Sequence, residues 1–230
     1  MSKKDLKLQA LNPLQDEYIK VILNSVSGIT DDIVLATGVA GSSKTYIPTV
    51  IAGHLLANQQ IKEIIVARPP EGAGPSVGFF KGTKEEKLEG WCLPVLKTLR
   101  KLYGYDTVAK WIEEDKIVMH ALEQTKGLTW DDAFVLVDET EDVDVAVMKT
   151  LVTRPGENCT MVLTGDIEQQ DIKEYSGLEY VLNLAKFYDV PCSHIDFNDW
   201  KYNVRSTASK KWGMAMTQCD RQTRKHPINS

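Results

Sequence analysis

An α/β fold, a mostly parallel, doubly wound sheet with helices on both faces, is predicted by three features of this sequence. Short apolar runs show no polar alternation, as strands buried on both faces do. Stretches of a dozen or more residues separate them, the length that a parallel crossover requires. Glycine-rich or acidic residues stand directly at the ends of several runs, on the edge where open α/β sheets bind ligands.

The run IVLAT at 33–37 is the first expected strand. Residues 45–58 are long enough for the helix that follows, with Pro48 tolerable in its first turn and nowhere deeper. IIVA at 64–67 is the second strand. The segment 69–90 (PPEGAGPSVGFFKGTKEEKLEG) is too rich in proline and glycine for a helix or central strand. It reads as a long functional loop, with its EEK as a solvated helix start. Helical stretches at 91–103 and 107–115 and a short apolar run at 117–119 form an insertion in the sheet. FVLV at 134–137 and MVLT at 161–164 are further strands joined by a crossover helix over 143–151, and 193–197 supplies one more.

Of 230 residues, 43% are hydrophobic and 26% charged, which excludes a disordered, collagen-like or coiled-coil chain and suits one domain. No apolar run approaches the roughly 18 residues of a membrane-spanning helix. The opening MSKKDLKLQALNPLQDEY lacks the apolar core of a secretion signal. Four scattered cysteines argue against a zinc site or disulfide framework and for a reducing cytoplasm. The net charge of −5 is uneven: residues 201–230 hold seven Lys or Arg and one acid, leaving 20 bases and 31 acids on the other 200. The expected organisation is one domain over 1–212 and a basic tail over 213–230. Such an end either docks on phosphates or on an acidic face of a neighbouring subunit, or is simply a soluble tail.

The strongest chemical signal is Gly38-Val39-Ala40-Gly41-Ser42-Ser43-Lys44-Thr45, directly after IVLAT. A phosphate-cradling loop needs inward backbone N–H groups, a lysine for the terminal phosphates, a hydroxyl for Mg²⁺ and a following helix N-terminus. Ser43 departs from the pattern, which places glycine before the lysine; a Cβ is tolerable there if φ is negative. The plain alternative is a Gly/Ser turn between strand and helix. Asp138 and Glu139 end the strand FVLV and supply what the loop lacks: Asp138 for the Mg²⁺ shell, Glu139 to orient or deprotonate water. After MVLT comes TGDIEQQD, whose glutamine can contact a γ-phosphate; TGD alone is also an ordinary turn. Together these point to ATP bound with Mg²⁺ in a P-loop NTPase.

The loop GVAGSSKT, the strand ends IIVARP, FVLVDE and MVLTGDIEQQD, and the run VGFFKGTKEEKLEGWCLPV resemble PhoH-like proteins, P-loop ATPases related to the superfamily 1 helicase core. The similarity runs from about residue 11 to 212 and implies an ATPase domain without fused nuclease or RNA-binding domains. Gln15, in LNPLQDEY beside Asn12, is similar to the glutamine that recognises adenine. Arg68 matches an arginine placed to contact nucleic acid, and Lys126 with Gly127 matches a basic-Gly pair ahead of the Asp-Glu strand. Gly78, Phe79, Gly82, Glu86 and Lys87 match the family's run, Arg154 an arginine before the TGD strand, and Gln169 the third-motif glutamine. Arg205, in NVRS, is the arginine-finger candidate. The family's tendency to form rings implies a homo-oligomer, such as a hexamer, with that finger reaching across a subunit boundary. RNA or single-stranded nucleic acid is the implied partner and a helicase-like motor the implied activity. Members of this size are common in bacteriophages; a phage-encoded one would act in the host cytoplasm.

Three departures stand out. Ser43 replaces a glycine, Ala67 stands where relatives often have Thr, and Thr140 with Glu141 replaces the Ala-Gln of the family's DEAQ form. Five acids between 138 and 144 would repel a nucleic-acid strand unless metal or a basic neighbour offsets them. Two other readings compete: a nucleotide-gated assembly module with little turnover, and a small-molecule kinase. His54, His120, His194 and His226 have no metal-like spacing. Trp91 and Trp130 could stack on bases or pack in the core.

Overall fold

The computed structural model describes residues 6, 8–69 and 84–225. Its centre is a parallel sheet of β1 (Ile33–Gly38), β2 (Glu63–Arg68), β3 (Ile117–Ala121), β4 (Ala133–Val137), β5 (Thr160–Gly165) and β6 (Cys192–Phe197). The strands lie in the order β3-β2-β4-β5-β1-β6, every neighbouring pair parallel.

The lack of alternation in the strand sequences has its reason in two cores. Val34, Ala36, Ile64, Val66, Phe134 and Leu136 face one side, against α1 (Pro13–Val26), α2 (Tyr46–Ala57), α4 (Leu93–Tyr103) and α5 (Tyr105–Glu113). Leu35, Ile65, Ala67, Val135, Val137 and Leu163 face the other, against α6 (Val145–Leu151) and α7 (Gly177–Phe187). Each Val, Leu, Ile or Phe side chain taken fully out of water contributes about 1.5–3 kcal/mol, so a polar residue in either register is selected against. Pro48 falls in the first turn of α2, and the Lys44 carbonyl, which its missing N–H would have met, accepts from the Tyr18 hydroxyl at 3.0 Å instead.

Three expectations need correction. The apolar 117–119 belongs to β3, the edge strand beside β2, so the stretch before it is the crossover of a parallel pair rather than an insertion. The loop expected through residue 90 gives way at Lys84 to α3 (Lys84–Trp91); Gly78, Phe79 and Gly82 lie outside the described residues. Past 212 the chain continues without a break in α8 (Thr207–Lys225), so the start of the expected tail is helical and belongs to an element that begins inside the expected domain.

Strand register builds the functional rim. Thr37 pairs with Gly165, Ala67 with Val137 and Val137 with Leu163. The residues just beyond these pairs, the glycine-rich loop, Asp138 and Asp166, therefore emerge side by side although they lie far apart in the chain.

Candidate functional site

The loop after β1 is shaped by backbone constraints that its sequence encodes. Gly38 has φ 122° and lies so close to β6 that a Cβ would sit 2.2 Å from the carbonyl carbon of Phe197. Gly41, at φ 78°, leaves room for the Arg205 methylenes, which a Cβ would meet at 2.9 Å. Ser43 has φ 75°, so the non-glycine residue sits in the left-handed conformation and not at the negative φ under which its Cβ is tolerable. Lys44 folds back over the loop, its Nζ donating to the carbonyls of Gly38 and of Val39, the latter at 3.0 Å. Burial lowers the Lys44 pKa, while the nearby Asp166, Glu141 and Asp138 act to raise it.

Gln15 braces this loop from behind. Its Nε2 donates to the Ser42 carbonyl at 3.1 Å and to Ser43 Oγ at 3.3 Å, and its Oε1 accepts from Leu11 N–H. The side chain is buried and holds the loop. Asn12 caps α1 by accepting the Gln15 N–H.

Thr45 Oγ1 donates to Asp138 Oδ1 at 2.9 Å, and Thr164 Oγ1 donates to the same oxygen at 2.5 Å. Burial raises the Asp138 pKa and the two hydroxyls lower it. A hydroxyl and one carboxylate suit Mg²⁺, which takes hard oxygen ligands and relies on substrate phosphates and water for the rest. Among the described residues no group of three or more His, Cys, Asp or Glu could hold a metal without such help.

One cleft of about 610 Å³ is lined by Lys44, Thr45, Asp138, Glu139, Gln169 and Arg205. Glu139, at φ 56°, pairs with Arg68 at 2.5 Å, and Arg68 also donates to the Trp91 carbonyl at 3.2 Å. The arginine expected on a nucleic-acid strand is thus engaged within the chain. Gln169 Nε2 donates to Asp166 Oδ2, in the 3₁₀ turn Ile167–Gln169. Arg205 is positioned by Asn203 and Val204: Asn203 Nδ2 donates to the Ala40 carbonyl at 2.7 Å, Val204 N–H to Gly41 at 2.9 Å, and Asn203 Oδ1 accepts the Arg205 N–H. Arg205 therefore lines the cleft of its own chain.

Other expected residues lie elsewhere. Lys126 is exposed and off the cleft. Arg154 clamps the chain near β4, donating to the carbonyls of Leu128 and Thr150, each at 3.0 Å. Trp130 is core, whereas Trp212 on α8 is 68% exposed. Sequence reasoning passed over Asn203, which clasps the loop, and Glu141, which it treated only as a lost glutamine. Glu141 is 5% exposed and lines the cleft. The run of five acids was the available signal, but nothing in it separates the one turned inward.

The family model for PhoH-like proteins matches residues 7–216. The chain is 37% identical over 177 residues to a PhoH-like protein of Bacillus subtilis, covering 76% of this chain and 54% of that protein. With the protein PhoH of Escherichia coli it shares 31% over 173 residues, 74% of this chain and 47% of the relative. It thus spans about half the length of these relatives. Among solved structures, the Pif1 helicase of Candida albicans superimposes with a TM-score of 0.40 at 16% identity, over 85% of this chain and 42% of that one. With the cleft, its loop and the strand-end acids in place, the matches over most of the chain establish that it belongs to the PhoH-like protein family.

Proposed function

We propose that the chain is an Mg²⁺-dependent ATPase that hydrolyses the terminal phosphate bond of ATP in this cleft. The observation that carries the reading is the 2.9 Å contact between Thr45 and Asp138, a hydroxyl and a carboxylate from strand ends that β5 separates. Backbone N–H groups over 38–45 and the α2 N-terminus would hold the phosphates, with Lys44 as the loop's cation. Thr45 and Asp138 would hold Mg²⁺, which supplies charge neutralisation for the phosphates. Glu139 would accept a proton from the attacking water once released from Arg68. Gln169 would sense the terminal phosphate, and Arg205 would stabilise charge that grows only in the transition state.

RNA or single-stranded nucleic acid is the partner this reading adopts, in a helicase-like motor. Support comes from α8, where exposed Trp212 follows Lys210 and Lys211 and joins a stacking surface to positive charge. Cytoplasmic action accords with the four scattered cysteines. One observation favours the competing module with little turnover: the Arg68–Glu139 ion pair occupies the group that would activate water.

Phosphate release with Mg²⁺, with and without RNA or single-stranded DNA, tests both. Stimulated release is the expected result. Lys44→Ala abolishes ATP binding, whereas Glu139→Gln keeps binding and stops turnover. ATP binding without any release would transfer the assignment to the assembly module.

A further inference from the structure

Glu141 follows the strand-end acids in the 3₁₀ turn Thr140–Asp142, with its carboxyl turned into the cleft wall. Its Oε2 is sealed from solvent and has no hydrogen-bond partner. It rests at the end of β5, where a Cβ on Gly165 would come within 2.6 Å of that oxygen, so glycine provides the space it fills. Ser42 Oγ in the neighbouring loop is likewise buried and unpaired, and buried polar atoms left unpaired call for a partner from outside the chain.

The surrounding charges decide which form the carboxyl takes. Glu139 and Asp142 beside it disfavour ionisation, and backbone hydrogen bonds at Glu141 and at Asp166, just past β5, favour it. Lys44 on the loop is close enough to feel the Glu141 charge, and Arg205 lines the same cleft, as do Asp138 and Asp171. Burial is the largest influence and pushes the Glu141 pKa up to about 8. A bound triphosphate adds negative charge and holds the proton more firmly. A protonated carboxyl carries one O–H donor, phosphate oxygens accept, and glutamate's terminal torsion is soft enough to aim the donor.

We propose that Glu141 is a phosphate-binding residue, its carboxylic O–H donating to an oxygen of the terminal phosphate of ATP. The acid does by protonation what the amide of a glutamine does permanently, and no proton is transferred. This rests on the reading of the cleft as an ATP site.

Calorimetric titration of ATP and of ADP at pH 7.5, 8.5 and 9.5, at constant Mg²⁺, tests it with the wild type and Glu141→Gln. Lys44 feels the Glu141 charge and titrates in both proteins, so the ADP profiles of the same pair supply the control for its share. At pH 7.5 the two should bind ATP within about threefold of each other. By pH 9.5 wild-type ATP affinity should have fallen roughly tenfold further than that of the variant, the loss expected when the donor ionises about a unit or more below the final pH. ADP, lacking the terminal phosphate, should show no such divergence. Parallel ATP profiles, or loss of ATP binding by Glu141→Gln at pH 7.5, would overturn the proposal while leaving the ATP site standing. Absence of ATP binding by the wild type at every pH would sink both.

Discussion

Arg68 and Glu139 form an ion pair of 2.5 Å across the ends of β2 and β4, with the arginine side chain 15% and the glutamate 45% exposed. The carboxylate proposed to activate water is thus held by a cation from the neighbouring strand. A paired cation occupies a carboxylate oxygen that the attacking water would otherwise meet.

Arg68→Gln should therefore raise basal phosphate release, by roughly three- to tenfold, a small part of the 10²–10⁴-fold that a whole general base supplies. Affinity for ATP should stay within about threefold. Single-turnover kinetics with a non-exchangeable ATP pool checks it, and an unchanged or lower rate would mean that Arg68 positions Glu139 and does not restrain it.

Ser43 at φ 75° carries the strain of a side chain in the left-handed region, of order 1 kcal/mol. Ser43→Gly should remove that strain while losing the contact from Gln15 to Ser43 Oγ. The expected gain is up to ~1 kcal/mol, or about 2–4 °C in melting temperature for a chain of this size. A fall in melting temperature would show that the Gln15 contact matters more than the strain.

The buried Glu141 also makes stability depend on pH. Its folded-state pKa of about 8 lies above the ordinary 4.5, so the folded chain binds the extra proton between those values. Stability contributed by this group falls as pH rises through that window, by about 1.4 kcal/mol per unit, and levels off above pH 8. Glu141→Gln should stabilise the nucleotide-free protein by ~3 kcal/mol at pH 7 and by almost nothing at pH 4. Urea denaturation at the two pH values measures it, and an equal effect at both would contradict the assignment.

Arg205 completes the cleft of its own chain through Asn203 and Val204. Arg205→Ala should lower turnover by about 10³-fold or more, as loss of a transition-state arginine does. Mixing it with Glu139→Gln should restore nothing, because no chain would then hold a whole site. Recovered activity in the mixture would instead place the arginine across a subunit boundary.

Sequence alone determined the strands and the chemistry at their ends. Both-face burial demands uninterrupted apolar runs, so IVLAT, FVLV and MVLT announce themselves without reference to partners. A phosphate loop needs its glycines, lysine and hydroxyl in consecutive positions, so 38–45 was equally legible. Even β3 was visible as an apolar stretch; its place at the sheet edge was not, because pairing joins residues distant in the chain.

Tertiary structure decided what each polar group faces. Gln15 behind the loop, Arg68 on Glu139, Arg154 on backbone carbonyls and Arg205 in its own cleft are outcomes of packing, not of spacing. The five acids over 138–144 look alike in one dimension. Only the turn after β4, closing against Gly165, buries Glu141 while its neighbours Glu139 and Asp142 remain half-exposed, because local pattern records which groups a segment carries and the fold alone sets the dielectric around each.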